Sequence, residues 1–240
     1  MNSENVLQAR DLFKSYHKDR VEVPVLRGVN LEVPKGIVTA LVGRSGSGKS
    51  TLMHLLATLD QPDSGAVLFR GERIDNASRA RRDSYRNQDI GIIFQFYHLL
   101  PELSAIENVL APTMIGRSAW NFFRHRKEAR QRAAAMLDRV GLLHRASHKP
   151  SEMSGGEMQR AAIARALMTD PSLLLADEPT GNLDTDTGFD ILKLLTELNQ
   201  DDGLSILMIT HDDAIAADAD LCHRMQDGQL ESSTPALQVA

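Results

Sequence analysis

The chain has 240 residues, 42% hydrophobic and 25% charged, the balance of an ordinary globular protein large enough to bury a core without disulfide or metal staples. Its single cysteine, Cys222, excludes an intramolecular disulfide framework and fits a reducing compartment. A net charge of −5 argues against a general nucleic-acid binder, no apolar run approaches the roughly 18 residues of a membrane span, and the N-terminus lacks the basic start and apolar stretch of a signal peptide.

Along the chain, short apolar runs alternate with stretches of helical spacing. Residues 37–42 read as a buried strand that runs into a glycine-rich loop, 43–48. A helix is expected over 49–59, with Leu52, Leu55, Leu56 and Leu59 on one face. Residues 66–69, 90–94, 173–176 and 204–209 read as further strands, most of them followed by polar residues. This alternation predicts an α/β fold around a largely parallel sheet, whose ligands sit beyond the carboxyl ends of the strands. No strand is expected between about 99 and 165. There, 127–140 and the alanine-rich 156–168 read as helices, so a helical insert over roughly 96–165 interrupts the core. The last ten residues, 231–240, read as a loose tail.

Gly43-Arg44-Ser45-Gly46-Ser47-Gly48-Lys49-Ser50 fits G-x-x-x-x-G-K-[ST], and Thr51 follows. Its glycines let backbone N–H groups close around phosphate oxygens, and the next helix aims its positive end at the same anion. Lys49 can reach the β- and γ-phosphates, and the Ser50 hydroxyl can coordinate Mg²⁺. The match lies between an expected strand and an expected helix, the context such a loop needs. The second site is Asp177-Glu178, delivered by the apolar run 173–176. As in other phosphate-loop NTPases, Asp177 suits the Mg²⁺ surroundings, and Glu178 suits a water attacking the γ-phosphate. His211 ends the run 204–209 on the same sheet edge and suits the γ-phosphate and the attacking water. Gln95, after 90–94, suits Mg²⁺ or water through its amide. Tyr16 is either a base-stacking ring or ordinary strand-end packing.

Met153-Ser154-Gly155-Gly156-Glu157-Met158-Gln159-Arg160 forms a second anion-friendly helix start, 104 residues beyond Lys49 (153 − 49). One nucleotide does not need two such loops. This stretch resembles the signature sequence of ATP-binding cassette (ABC) ATPases, and the resemblance extends over nearly the whole chain. It implies a P-loop NTPase core over about 1–95 and 166–230, with an antiparallel β part near the N-terminus and the helical, signature-bearing subdomain at 96–165. It implies Tyr16 as the adenine-stacking aromatic, residues 43–51 as the ATP phosphate cradle and Gln95 as the lid glutamine. Asp177 and Glu178 become the metal and water-activating pair, Asn182-Leu183-Asp184 the dimer-contact loop and His211 the switch histidine. Ser154, Gly155 and Gly156 would close over ATP held by a second copy. Met153 stands where leucine is usual, and Glu157 where glutamine is common.

His54-Leu55-Leu56 with Leu59-Asp60-Gln61-Pro62-Asp63-Ser64-Gly65 resembles the branch that serves lipoprotein release and macrolide export. Residues 94–103 with Glu107-Asn108-Val109 look closest to the ATPases of lipoprotein-releasing systems. The implied partners are a second ATPase subunit and integral-membrane permease subunits, with the protein peripheral on the cytoplasmic face of the inner membrane. Macrolide-export and cell-division complexes are the alternative. A cassette acting on nucleic acid or ribosomes fits less well, because the chain is acidic, has one cassette and lacks heptads. Tyr97, Leu99, Leu100 and Leu103 form either a docking patch for a permease helix or the insert's own core. The stretch 120–127, Trp-Asn-Phe-Phe-Arg-His-Arg-Lys, is either a contact with anionic lipid or an exposed helix start.

Overall fold

The computed structural model describes residues 4–19, 21–115, 119–231 and 234–235, with the side chains of residues 18, 119–123 and 234–235 outside it. In chain order the first half holds β1 (Asn5–Lys18), β2 (Val21–Pro34), β3 (Val38–Val42), α1 (Lys49–Leu56), β4 (Ser64–Phe69), β5 (Glu72–Arg73), α2 (Arg79–Ser84) and β6 (Ile90–Ile93). Three helices follow, α3 (Ala105–Ile115), α4 (Ala119–Arg139) and α5 (Gly155–Leu167). The chain then returns to the sheet through β7 (Leu173–Asp177), α6 (Thr185–Asp202), β8 (Ser205–Thr210), α7 (Asp213–Ala217), β9 (Leu221–Gln226), β10 (Gln229–Leu230) and β11 (Thr234–Pro235).

Two sheets result. An antiparallel one has the order β2-β1-β4-β5; the other runs β10-β9-β3-β8-β7-β6, with β11 also on β9. In the second sheet β9, β3, β8, β7 and β6 pair in parallel, and β10 and β11 pair antiparallel to β9. The parallel strands read as unbroken apolar runs because both faces are covered. Alternate side chains go to opposite faces: Leu173, Leu175, Leu207 and Ile209 join α1 and the antiparallel sheet. Leu174, Ala176, Ile206 and Met208 join α3, α4, α5 and α6. The α/β class, the parallel sheet, the antiparallel N-terminal part and the helical insert all stand as expected.

Several boundaries move. The helix expected over 49–59 stops at Leu56, because Thr58 takes φ 54° and the amides of Leu59 and Asp60 turn back onto the carbonyl of His54. The run 90–94 leaves the ladder after Ile93 and 204–209 slides by one residue to β8. The helix expected over 127–140 is the latter part of the 21-residue α4, and 156–168 begins at Gly155. The aromatic side chains of the basic-aromatic stretch at 120–123 lie outside the described residues, as does most of the tail at 231–240. The apolar patch divides: Leu99 packs on the helical core, whereas Leu100 is exposed. Buried Asn108 fixes this loop, accepting from the Leu100 amide at 2.7 Å and donating to the carbonyls of Leu100, Leu103 and Ser104.

Candidate functional site

The phosphate-type loop joins β3 to α1. Gly48 is the N-cap of α1, at φ 107°, with no side chain capping the helix. A Cβ there would press on Leu26 Cδ2 at 3.0 Å and the Val25 carbonyl at 3.1 Å. A Cβ on Gly43 would lie 2.3 Å from the Met225 carbonyl, so β9 closes over the loop from behind. The first-turn amides of α1 therefore face a cleft with neither a capping side chain nor an acid in the turn. Lys49 is buried and folds its ammonium onto the carbonyls of Gly43 (2.7 Å) and Arg44 (3.0 Å).

That cleft, of about 830 Å³, is lined by Val25, by Arg44–Gly46 and Gly48–Thr51 of the loop and helix start, and by Gln95, Glu178 and His211. The three sheet-edge residues arrive from separate strands: Gln95 just after β6, Glu178 just after β7, His211 just after β8. Asp177 ends β7, half-buried, in hydrogen-bond contact with the Ser50 hydroxyl. Burial raises its pKa above the ordinary aspartate value, and the neighbouring Glu178 charge adds to this. A half-buried carboxylate beside a hydroxyl suits a cation. Among the described residues no group of three or more His, Cys, Asp or Glu side chains forms a cage. A divalent ion here would thus be held by Ser50, Asp177 and Gln95 together with substrate phosphates, the mode common for magnesium.

Glu178 adopts φ 44° in front of Pro179, a left-handed backbone that is uncommon for a non-glycine residue. Its amide donates to the Ile209 carbonyl (2.9 Å) and its carbonyl accepts from the Gly181 amide (3.0 Å). Its carboxylate lies 3.1 Å from His211 Nδ1, and the His211 side chain is 62% exposed. Asn182 Nδ2 donates to the Gln95 carbonyl at 2.7 Å, tying the segment after β7 to the one after β6. Arg165 donates to the carbonyls of Tyr97 and His98, both at positive φ.

Tyr16, on β1, does not line the cleft but touches Thr51, which does, and the residue is 41% exposed. Its hydroxyl donates to Asp60 (2.8 Å), and burial followed by Asp60 raises its pKa, so the phenol stays neutral. Lys14 joins the same Asp60 at 3.1 Å. The Asp60 tether gives no sequence signal, since it depends on a turn 44 residues away from Tyr16.

Ser154, Gly155 and Gly156 are not among the residues lining the cleft. They start α5, where Ser154 Oγ accepts from the Glu157 amide (3.2 Å) and Glu157 accepts from the Ser154 amide (2.8 Å). Glu157 also meets Arg145 at 2.8 Å, and Met153 is buried in the helical core. The two departures from the usual signature thus have local roles.

The nucleoside-phosphate cleft on this two-sheet frame defines a nucleotide-hydrolysing cassette, and the sequence profile of the ABC transporter family matches residues 26–181, so the chain belongs to that family. It is 70% identical to the lipoprotein-releasing system ATP-binding protein LolD 2 of Rhodopirellula baltica over 96% of this chain and 90% of that protein. It is 49% identical to LolD of Acinetobacter baylyi, over 94% and 97%. The ATP-binding cassette MJ0796, solved as a dimer in a post-hydrolysis state bound to ADP and Pi, superposes with a TM-score of 0.86 at 34% identity, covering 96% of this chain and 98% of that one. The chain is an ATPase of this family. Among the described residues no helix is long and apolar enough to cross a membrane.

Proposed function

We propose that this chain is the ATP-hydrolysing subunit of a lipoprotein-releasing ABC transporter, peripheral on the cytoplasmic face of the inner membrane and bound to separate permease subunits. The observation that carries this reading is the 70% identity to a lipoprotein-releasing ATP-binding protein over 96% of the chain. In this reading residues 166–230 complete the core begun at 1–95, and the insert 96–165 carries the signature and meets the permease.

ATP enters with its base on Tyr16 and its phosphates against the amides of Gly43, Ser45, Gly46, Ser47, Gly48 and Thr51. Arg44 lies at the rim. Lys49 leaves the loop carbonyls for the β- and γ-phosphates. Ser50, Asp177 and Gln95 would hold Mg²⁺, which when bound neutralises charge on those phosphates. A second copy closes its Ser154–Gly156 turn over the triphosphate. Glu178 accepts a proton from a water whose oxygen attacks the γ-phosphorus in line, and the bond to the β,γ-bridging oxygen breaks to release ADP and phosphate. His211, 3.1 Å from Glu178, orients that water and the γ-phosphate.

Glu178→Gln is expected to lower kcat by roughly 10²–10⁴-fold while ATP affinity stays within a few-fold, and to trap an ATP-bound dimer in size-exclusion chromatography. Near-wild-type turnover would remove Glu178 from the chemistry. Cargo is tested by reconstituting the chain with its permease in proteoliposomes: ATP-dependent release of an acylated protein supports the reading. Export of a macrolide instead would move the chain to the other arm of its branch.

A further inference from the structure

Gln159 lies on the second turn of α5, with about 1% of its surface exposed. Its Nε2 donates to the carbonyl of Pro179 at 2.7 Å, the residue directly after Glu178. A carbonyl only accepts, so the amide orientation follows from the chemistry. Its Oε1 is buried with no hydrogen-bond partner among the described residues. A buried acceptor left unpaired is costly, and methionine of similar volume would fill the same space without that cost. The donated bond is therefore what the glutamine is there for.

The bond has a specific target. Glu178 holds a left-handed φ of 44° before a proline, a backbone that persists only when its surroundings fix it. Its local ties are the Ile209 and Gly181 hydrogen bonds, from the sheet edge and the turn itself. Gln159 is the tie from the helical part. The same helix begins with the Ser154–Gly156 turn, which packs against the chain that follows Glu178, where a Cβ on Gly155 would lie 3.3 Å from Leu183 Cδ2. A Cβ on Gly156 would lie 2.4 Å from Thr187 Cγ2, and one on Gly155 would lie 3.0 Å from the Tyr97 hydroxyl.

We infer that Gln159 is a positioning residue, a strut that makes the placement of Glu178 depend on the signature turn of its own chain. This rests on the reading above, in which that turn serves the ATP of the second copy. One subunit's engagement of the far nucleotide then sets the carboxylate at the near one, which links the two sites of the dimer.

The test is Gln159→Met. Turnover is expected to fall at least tenfold, with ATP affinity within twofold and the Hill coefficient for ATP falling to 1. Thermal stability should change little, since the substitution removes one orphaned acceptor, Gln159 Oε1, and leaves another, the Pro179 carbonyl. In a Glu178→Gln background the second substitution should cost nothing further. Amide hydrogen exchange of residues 178–183 in the nucleotide-free protein should quicken in Gln159→Met, a readout that does not require turnover. Unchanged exchange together with unchanged kcat and Hill coefficient overturns the strut. A wild-type chain without ATPase activity sinks the functional reading instead, and exchange alone then decides the strut.

Discussion

α1 and α5 both start at glycine-rich turns, but their first amides are treated in opposite ways. At α1 the cap is Gly48, no side chain returns to the helix, the first turn holds Lys49 and no acid, and the amides face the 830 Å³ cleft. At α5 the cap is Ser154, and Glu157 and Ser154 satisfy each other's amides, with Arg145 on the outer carboxylate oxygen. In the proposed reading the first meets its anion with groups of its own chain. The second has spent part of its hydrogen-bonding on itself and lies apart from the cleft. A helix start so capped contributes to an anion only when another surface presents that anion to it, which is why the difference argues for a two-chain site.

The strongest way to break the comparison is to remove the charge at α1. Lys49→Ala should weaken ATP binding on the order of 10- to 100-fold by calorimetry, the range for losing a charged hydrogen-bond donor. Unchanged affinity would mean that the amides of α1 suffice alone. The corresponding change at α5 should behave differently. Ser154→Ala should leave ATP affinity of the single chain where it was, lower stability by about 1 kcal/mol through the lost cap, and reduce dimer turnover about tenfold. A loss of monomer affinity in Ser154→Ala would erase the distinction between the two turns.

The two turns were also unequally legible. Residues 43–50 declare themselves because strand, loop and helix signals follow one another without a break, and Asp177, Glu178 and His211 are suggested by the rule that ligands meet the carboxyl ends of parallel strands. The turn at 154–156 has no intrinsic chemistry that names its ligand, and only its resemblance to a signature sequence gave it one. In the N-terminal hairpin β1 loses the period of two, with register shifts between Ala9 and Leu12 and between Lys14 and Ser15, whereas Val29, Leu31 and Val33 of β2 keep it. Helix α6 carries a plain signal, with Ile191, Leu194, Leu195 and Leu198 on one face between the Asp184 cap and Gly203. Gln159 could not be found by pattern: on a helix rich in alanine it reads as solvent-facing, and its burial depends on Pro179 coming close in space.

The finest test concerns Glu157, the acid that α1 lacks. Hydrogen bonds from the Ser154 amide, and then Arg145, hold its carboxyl below the ordinary glutamate value of 4.5. A lowered folded pKa means a contribution that is complete above the ordinary value and lost as pH falls through the folded one. Glutamine keeps the oxygen needed for the capping box but loses the charge facing Arg145, so Glu157→Gln should cost under about 1 kcal/mol, as for a partly exposed ion pair. The melting-temperature gap between the two proteins should therefore be widest above the ordinary glutamate value and close as pH falls through the lowered folded one. A gap independent of pH would remove the carboxylate from the cap. The substitution also deletes a negative charge beside Ser154 and Gly155, making α5 begin more as α1 does. If the second copy's triphosphate meets this turn, KM for ATP in the dimer should fall slightly, while ATP affinity of the single chain stays fixed.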